Sequence, residues 1–107
     1  MTTINPNKKM CTLINVFTAE PSKQKELFDS LVQASEKLMS KMEGYISAKI
    51  HLGNDGKTVT NYAQLASQEH YQKVLKLPEI MEHLKTSAAL AINFKPVTYT
   101  TIWTDGE

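Results

Sequence analysis

A chain of 107 residues fits one domain, and a domain of that length buries only a thin core. Its 12 basic residues, all lysine, stand against 11 acidic ones, for a formal charge of +1. That near-balance excludes the basic stripe of a nucleic-acid binder, and the lack of arginine removes the usual bidentate clamp for phosphate or carboxylate. One cysteine, Cys11, excludes an internal disulfide and fits a reducing compartment. It reads as a small strand residue, since no local motif sets a base beside it. The opening MTTINPNKKM lacks the apolar stretch of a signal peptide, and no run approaches membrane-spanning length. The expectation is a cytoplasmic protein with neither nucleic acid nor membrane as a partner.

Residues 1–9 are polar and read as a flexible leader to a single domain over 10–107. CTLINVFT, from Cys11 to Thr18, is β-branched and aromatic with apolar residues on both faces, as in a central strand. Glu20-Pro21-Ser22 opens a helix, because proline suits the first turn. Leu27, Leu31, Ala34, Leu38 and Met42 recur at three- and four-residue steps, and Gly44 stands where such a helix would stop. YISAKIHL alternates, with Ile46, Ala48, Ile50 and Leu52 expected on one face and Tyr45, Ser47, Lys49 and His51 on the other. Asn54-Asp55-Gly56-Lys57 joins it as a hairpin to TVTNYAQLAS, Thr58 to Ser67. Ser67 suits the N-cap of a helix from Gln68 to about Leu75, and Pro78 breaks it and starts a further helical turn. PVTYTTIW, Pro96 to Trp103, reads as a final strand with Val97, Tyr99, Thr101 and Trp103 on one face.

The order β-α-β-β-α-β is that of an α+β, ferredoxin-like unit, an antiparallel sheet with its helices on one face. The bare face would carry Thr12, Ile14, Val16 and Thr18 beside Thr60, Tyr62, Gln64 and Ala66, which is too apolar to leave in water. A second copy covering it would make a homodimer.

On the helix side two amides interrupt apolar stripes. Asn15 shares its face with Cys11, Leu13 and Phe17, and Asn61 shares its face with Val59, Ala63 and Leu65. A buried amide without partners costs about 1–3 kcal/mol. Either the fold satisfies these two or a ligand does. An amide NH2 aimed at an oxygen where charge develops lowers a barrier. His83, on the segment that closes one end of the sheet, can relay a proton at neutral pH or sit as an ordinary helical histidine. Leu13, Phe17, Leu65, Tyr71 and Leu84 are the expected hydrocarbon lining. His51, His70 and His83 lack the spacing of a local metal site, and no GxGxxG loop or nucleophile elbow is present, so no metal and no cofactor is expected.

Three pieces, TLINVFTAEPSKQKEL, MEGYISAKIHLGNDGKTVTNYAQLAS and PEIMEHL, together resemble the antibiotic biosynthesis monooxygenase domain of the dimeric α/β-barrel superfamily. NYAQ is the most specific of the matching stretches. The resemblance implies a homodimer whose sheets form a barrel, with a ligand cavity between sheet and helices. Characterised quinone-forming members oxidise polycyclic phenols or anthrones with molecular oxygen and neither metal nor flavin, and Asn61 matches their strand asparagine. The family commonly has tryptophan four residues later, where this chain has Leu65, which implies a more aliphatic cavity without a stacking platform. Heme-degrading relatives use an asparagine matching Asn15, that same tryptophan and a histidine near the position of His83. The change at Leu65 argues against heme degradation. The implied activity is cofactor-independent oxidation of a small quinol-like or enolisable aromatic by O2. A non-catalytic ligand-binding or stress-associated dimer and an isomerase of a small carbonyl metabolite are the alternatives.

Overall fold

Four antiparallel strands form one sheet in the order β2-β3-β1-β4 in the computed structural model, which describes residues 10–106. The elements run β1 (Cys11–Thr18), α1 (Gln24–Lys37), β2 (Tyr45–Leu52), β3 (Thr58–Leu65), α2 (Gln68–Leu75), α3 (Pro78–Ala89) and β4 (Asn93–Tyr99). This is the ferredoxin-like α+β arrangement, with β1 and β3 as the central neighbours. The leader expected over residues 1–9 lies outside the described residues.

Local chemistry sets most boundaries. Pro21 opens a 3-10 turn, Pro21–Lys23, that leads into α1. Ser67 caps α2, its hydroxyl accepting from the His70 N–H at 3.1 Å. Pro78 stands at the first turn of α3. The long helix stops at Lys37, well before Gly44, and a 3-10 turn, Met39–Lys41, follows. The Ser40 hydroxyl donates to the Glu36 carbonyl at 2.8 Å, taking an acceptor that the next helical N–H would have used. Gly44 instead leads into β2 at φ +87°, and a Cβ there would collide with the His70 ring.

Two strands depart from expectation, β2 in the facing of its first residues and β4 in its bounds. The ladder shifts register between Tyr45 and Ser47, a bulge that pairs Tyr45 with Leu65 and Ser47 with Gln64. One extra residue turns Tyr45 toward the helices and leaves Ile46 48% exposed, the reverse of plain alternation. The last strand begins at Asn93, not Pro96, and ends at Tyr99. As an edge strand it tolerates Pro96 within it, since a missing N–H is harmless on the unpaired side. Val97 and Tyr99 pair with Ile14 and Thr12 on the bare face, while Thr101 and Trp103 lie beyond the ladder, Trp103 being 82% exposed.

The helix-covered face is built from four cross-strand rows. Leu52, Val59, Phe17 and Phe94 form the first; Ile50, Asn61, Asn15 and Pro96 the second; Ala48, Ala63, Leu13 and Thr98 the third; Tyr45, Leu65 and Cys11 the fourth. The end rows are packed. Phe17 and Val59 join Ala19, Leu27 and Leu31 in one core cluster, and Leu65 joins Val74 and Ile80 in another. Between them the second and third rows include two amides and two alanines, all four bordering a cavity beneath the helices. The space left between the packed ends is the cavity described next.

Candidate active site

That cavity has a volume of about 420 Å³ and lies between the sheet and all three α-helices. The size suits a small organic ligand, for which pockets of roughly 300–1,000 Å³ are usual. Its walls are mainly hydrocarbon: Leu13, Phe17 and Ala63 from the central strands, Leu31 and Ala34 from α1, Val74 and Leu75 from α2, Ile80 and Leu84 from α3.

Asn15 and Asn61 stand directly opposite one another across the β1–β3 ladder. Opposed residues bring their Cβ atoms to about 4.5–5.5 Å, so both amides address the same part of the cavity. His83 reaches that cavity from α3. Among the described residues, three buried side-chain polar atoms have no hydrogen-bond partner: Asn15 Oδ1, Asn61 Oδ1 and His83 Nδ1. All three belong to residues that line this one space. Buried polar atoms are rarely left unpaired, because each forfeits a hydrogen bond it would make in water. The three residues that carry these atoms border one mainly hydrocarbon cavity.

Leu13, Asn15, Phe17, Asn61, Tyr71, His83 and Leu84 all line the cavity. Leu65 does not. It is 0% exposed and lies behind the surface, against Val74 and Ile80. The expectation that Leu65 forms cavity wall is therefore corrected: α2 and α3 pack directly onto it, and the short side chains at the floor are Ala48 and Ala63 in the adjacent row.

Several lining residues were not anticipated. Tyr45 enters through the bulge, which alternation in YISAKIHL does not reveal. Phe94 and Pro96 line the space because β4 starts earlier than Pro96. Met39, Ser87 and Lys85 are further unexpected members. Lys85 and Leu84 are exposed, as are Phe94 and Pro96, so the cavity opens between α3 and β4.

Two nearby acids, the Tyr71 phenol and the Cys11 thiol, are held protonated. Burial pushes the Tyr71 phenol above its ordinary value, with Cys11 adding to the effect. Burial also raises the Cys11 thiol, which donates to Gln68 Oε1 at 3.2 Å. A thiol held protonated is a poor nucleophile. Among the described residues no three His, Cys, Asp or Glu side chains cluster as a metal site, and no helix is long and apolar enough to cross a membrane.

A sequence model of the antibiotic biosynthesis monooxygenase family matches residues 10–86. Over 83 residues the chain is 43% identical to the tetracenomycin-F1 monooxygenase of Streptomyces glaucescens, a match covering 78% of this chain and 74% of that protein. Among solved structures, the monooxygenase from the gene ActVA-Orf6 of Streptomyces coelicolor, in complex with nanaomycin D, matches with a TM-score of 0.80. The identity is 21% and 96% of each chain is covered. SnoaB, a cofactor-independent oxygenase from Streptomyces nogalater, matches with a TM-score of 0.75 at 18% identity, over 92% of this chain and 99% of that one. At such identities the structural likeness concerns the fold.

Proposed function

We propose that this chain, which belongs to the antibiotic biosynthesis monooxygenase family, is a cofactor-independent monooxygenase acting on a small enolisable or quinol-like aromatic. The observation that carries the reading is the set of unpartnered atoms on Asn15, Asn61 and His83 around one hydrocarbon cavity. A flat aromatic fills the apolar walls and gives up water there. Its hydroxyl donates to an asparagine Oδ1, and the amide NH2 groups are the donors available to the oxygen that gains charge when the ring system enolises. His83 takes the proton. The electron-rich enolate carbon then reacts with O2. One oxygen atom remains as a new carbonyl and the other leaves as water with the two hydrogens of the oxidised carbon, so the substrate itself supplies all the electrons.

Preorganised donors of this kind contribute about 100-fold or more each when deleted singly. Asn61→Ala should therefore reduce oxygen uptake with an anthrone substrate by roughly 100-fold while its circular dichroism and melting stay those of the parent. Undiminished turnover would remove Asn61 from the mechanism.

The active form in this reading is a homodimer in the cytoplasm. Its support is the helix-free sheet face, where Val16 and Tyr99 are 41% and 44% exposed, and a single free cysteine. A monomeric mass in analytical ultracentrifugation would refute the dimer. A second reading is an isomerase of a small carbonyl metabolite, favoured because His83 shares the cavity with Asn61. An oxygen electrode separates the two, since isomerisation consumes no O2. A purely structural dimer is disfavoured by an Asn61 left without an internal partner for Oδ1.

A further inference from the structure

A second space of about 430 Å³ lies outside the cavity, between α1 and the edge strand β2. Val32, Ser35, Glu36, Ser40, Tyr45, Ala48 and Ile50 border it. Ser35, Tyr45 and Ala48 also border the inner cavity, so these three side chains are a shared wall. Ala48 reaches no further than its Cβ and Ser35 has one heavy atom more. Tyr45 supplies the bulk of the partition.

Tyr45 holds that place only because of the bulge. Without the extra residue at Ile46, alternation would point Tyr45 to the opposite face and bring Ile46 in. The arrangement leaves Ile46 48% exposed on the helix-free face of the sheet. Bulges beside binding sites commonly re-aim one side chain, and here the re-aimed one divides two spaces. The two spaces also differ in character. The inner one is mainly hydrocarbon around an amide pair, whereas the outer one adds the Ser40 hydroxyl and the Glu36 carboxylate to the shared Ser35.

Building on the oxygenase reading, we infer that Tyr45 is a specificity-determining residue that sets the length of fused-ring substrate the protein accepts. A compact ring system is confined to the inner cavity by the phenol ring. A longer one, bearing hydroxyl groups at its far end, extends past a smaller residue 45 into the outer groove, where the serine hydroxyls and Glu36 receive its donors.

The test uses two probes, 1,8-dihydroxyanthraquinone and a four-ring hydroxylated tetracenequinone, titrated by visible absorbance against the full chain. Tyr45→Ala should tighten the four-ring probe relative to the three-ring probe by roughly fivefold, the scale of one further ring edge leaving water. Tyr45→Trp should shift that ratio the other way. Adding Val32→Trp to Tyr45→Ala, to fill the outer groove, should cancel the gain. Circular dichroism and melting that match the parent show that the fold of each variant is intact. An unchanged ratio in both single variants, a gain that survives Val32→Trp, or no binding of either probe would each overturn the inference. Because binding is read without turnover, a protein that binds both probes yet oxidises no corresponding anthrone would refute the oxygenase reading and leave the partition standing.

Discussion

The hairpin end of the sheet and the cavity a few residues away treat the same functional group in opposite ways. At the hairpin, the buried amide of Gln24 donates to the carbonyls of Gly53 at 2.9 Å and Thr58 at 3.1 Å. Asp55 accepts from the backbone N–H groups of Lys57 and Thr58, each at 2.9 Å, and from the Thr58 hydroxyl. In the cavity, Asn15 and Asn61 are amides on the same covered face, and their Oδ1 atoms have no hydrogen-bond partner among the described residues. The difference separates structure from function. The amide that fastens the turn is bonded by the fold, while the two cavity amides stand among hydrocarbon neighbours, as the proposed ligand-binding role requires.

Breaking the bonded site should cost stability and spare chemistry. Gln24→Ala should lower the unfolding free energy by about 1–2 kcal/mol in urea titrations, with oxygen uptake below the transition within about twofold of the parent. Replacing an unbonded amide should do the reverse. Asn15→Leu should leave stability unchanged or raise it by up to about 1 kcal/mol, because an unpaired acceptor is exchanged for hydrocarbon, while ligand affinity falls. A large loss of stability there would mean that Asn15 is bonded internally after all.

The smallest effect is electrostatic. The hydrogen bonds from Thr58 and Lys57 hold the Asp55 carboxyl down at about 2, against an ordinary 3.8. A depressed pKa stabilises the fold above the unfolded value and loses that contribution as pH falls through the folded one. The stability gap between the parent and Asp55→Asn should therefore be constant above pH 4 and close between about pH 4 and 2. A gap that persists at pH 2 would contradict the assignment.

How much of this was legible in the sequence differs by region for physical reasons. Element order, the central position of β1 and β3, and the shared face of Asn15 and Asn61 follow from alternation, proline placement and the Asn-Asp-Gly turn, all local signals. Helical spacing turned Tyr71 and Leu84 inward, and alternation set Leu13 and Phe17 on the face that borders the cavity. It could not reveal the bulge, because one extra residue in YISAKIHL leaves the apolar pattern almost unaltered while exchanging Tyr45 for Ile46. Depth was equally hidden. Leu65 and Ala63 share a face, yet α2 and α3 bury the first and leave the second at the cavity floor. The start of β4 was misplaced because Pro96 looks like a boundary, and only the edge position of the strand lets proline sit inside it.

The contrast between bonded and unbonded amides can be read directly by NMR. Side-chain NH2 resonances of Asn15, Asn61 and Gln24, assigned through single substitutions, would be followed while 1,8-dihydroxyanthraquinone is added. The Asn15 and Asn61 pairs should shift together and saturably, while the Gln24 pair stays in place. Stationary asparagine signals on ligand binding, or a Gln24 shift as large as theirs, would contradict the assignment of the two asparagines as the ligand-binding amides.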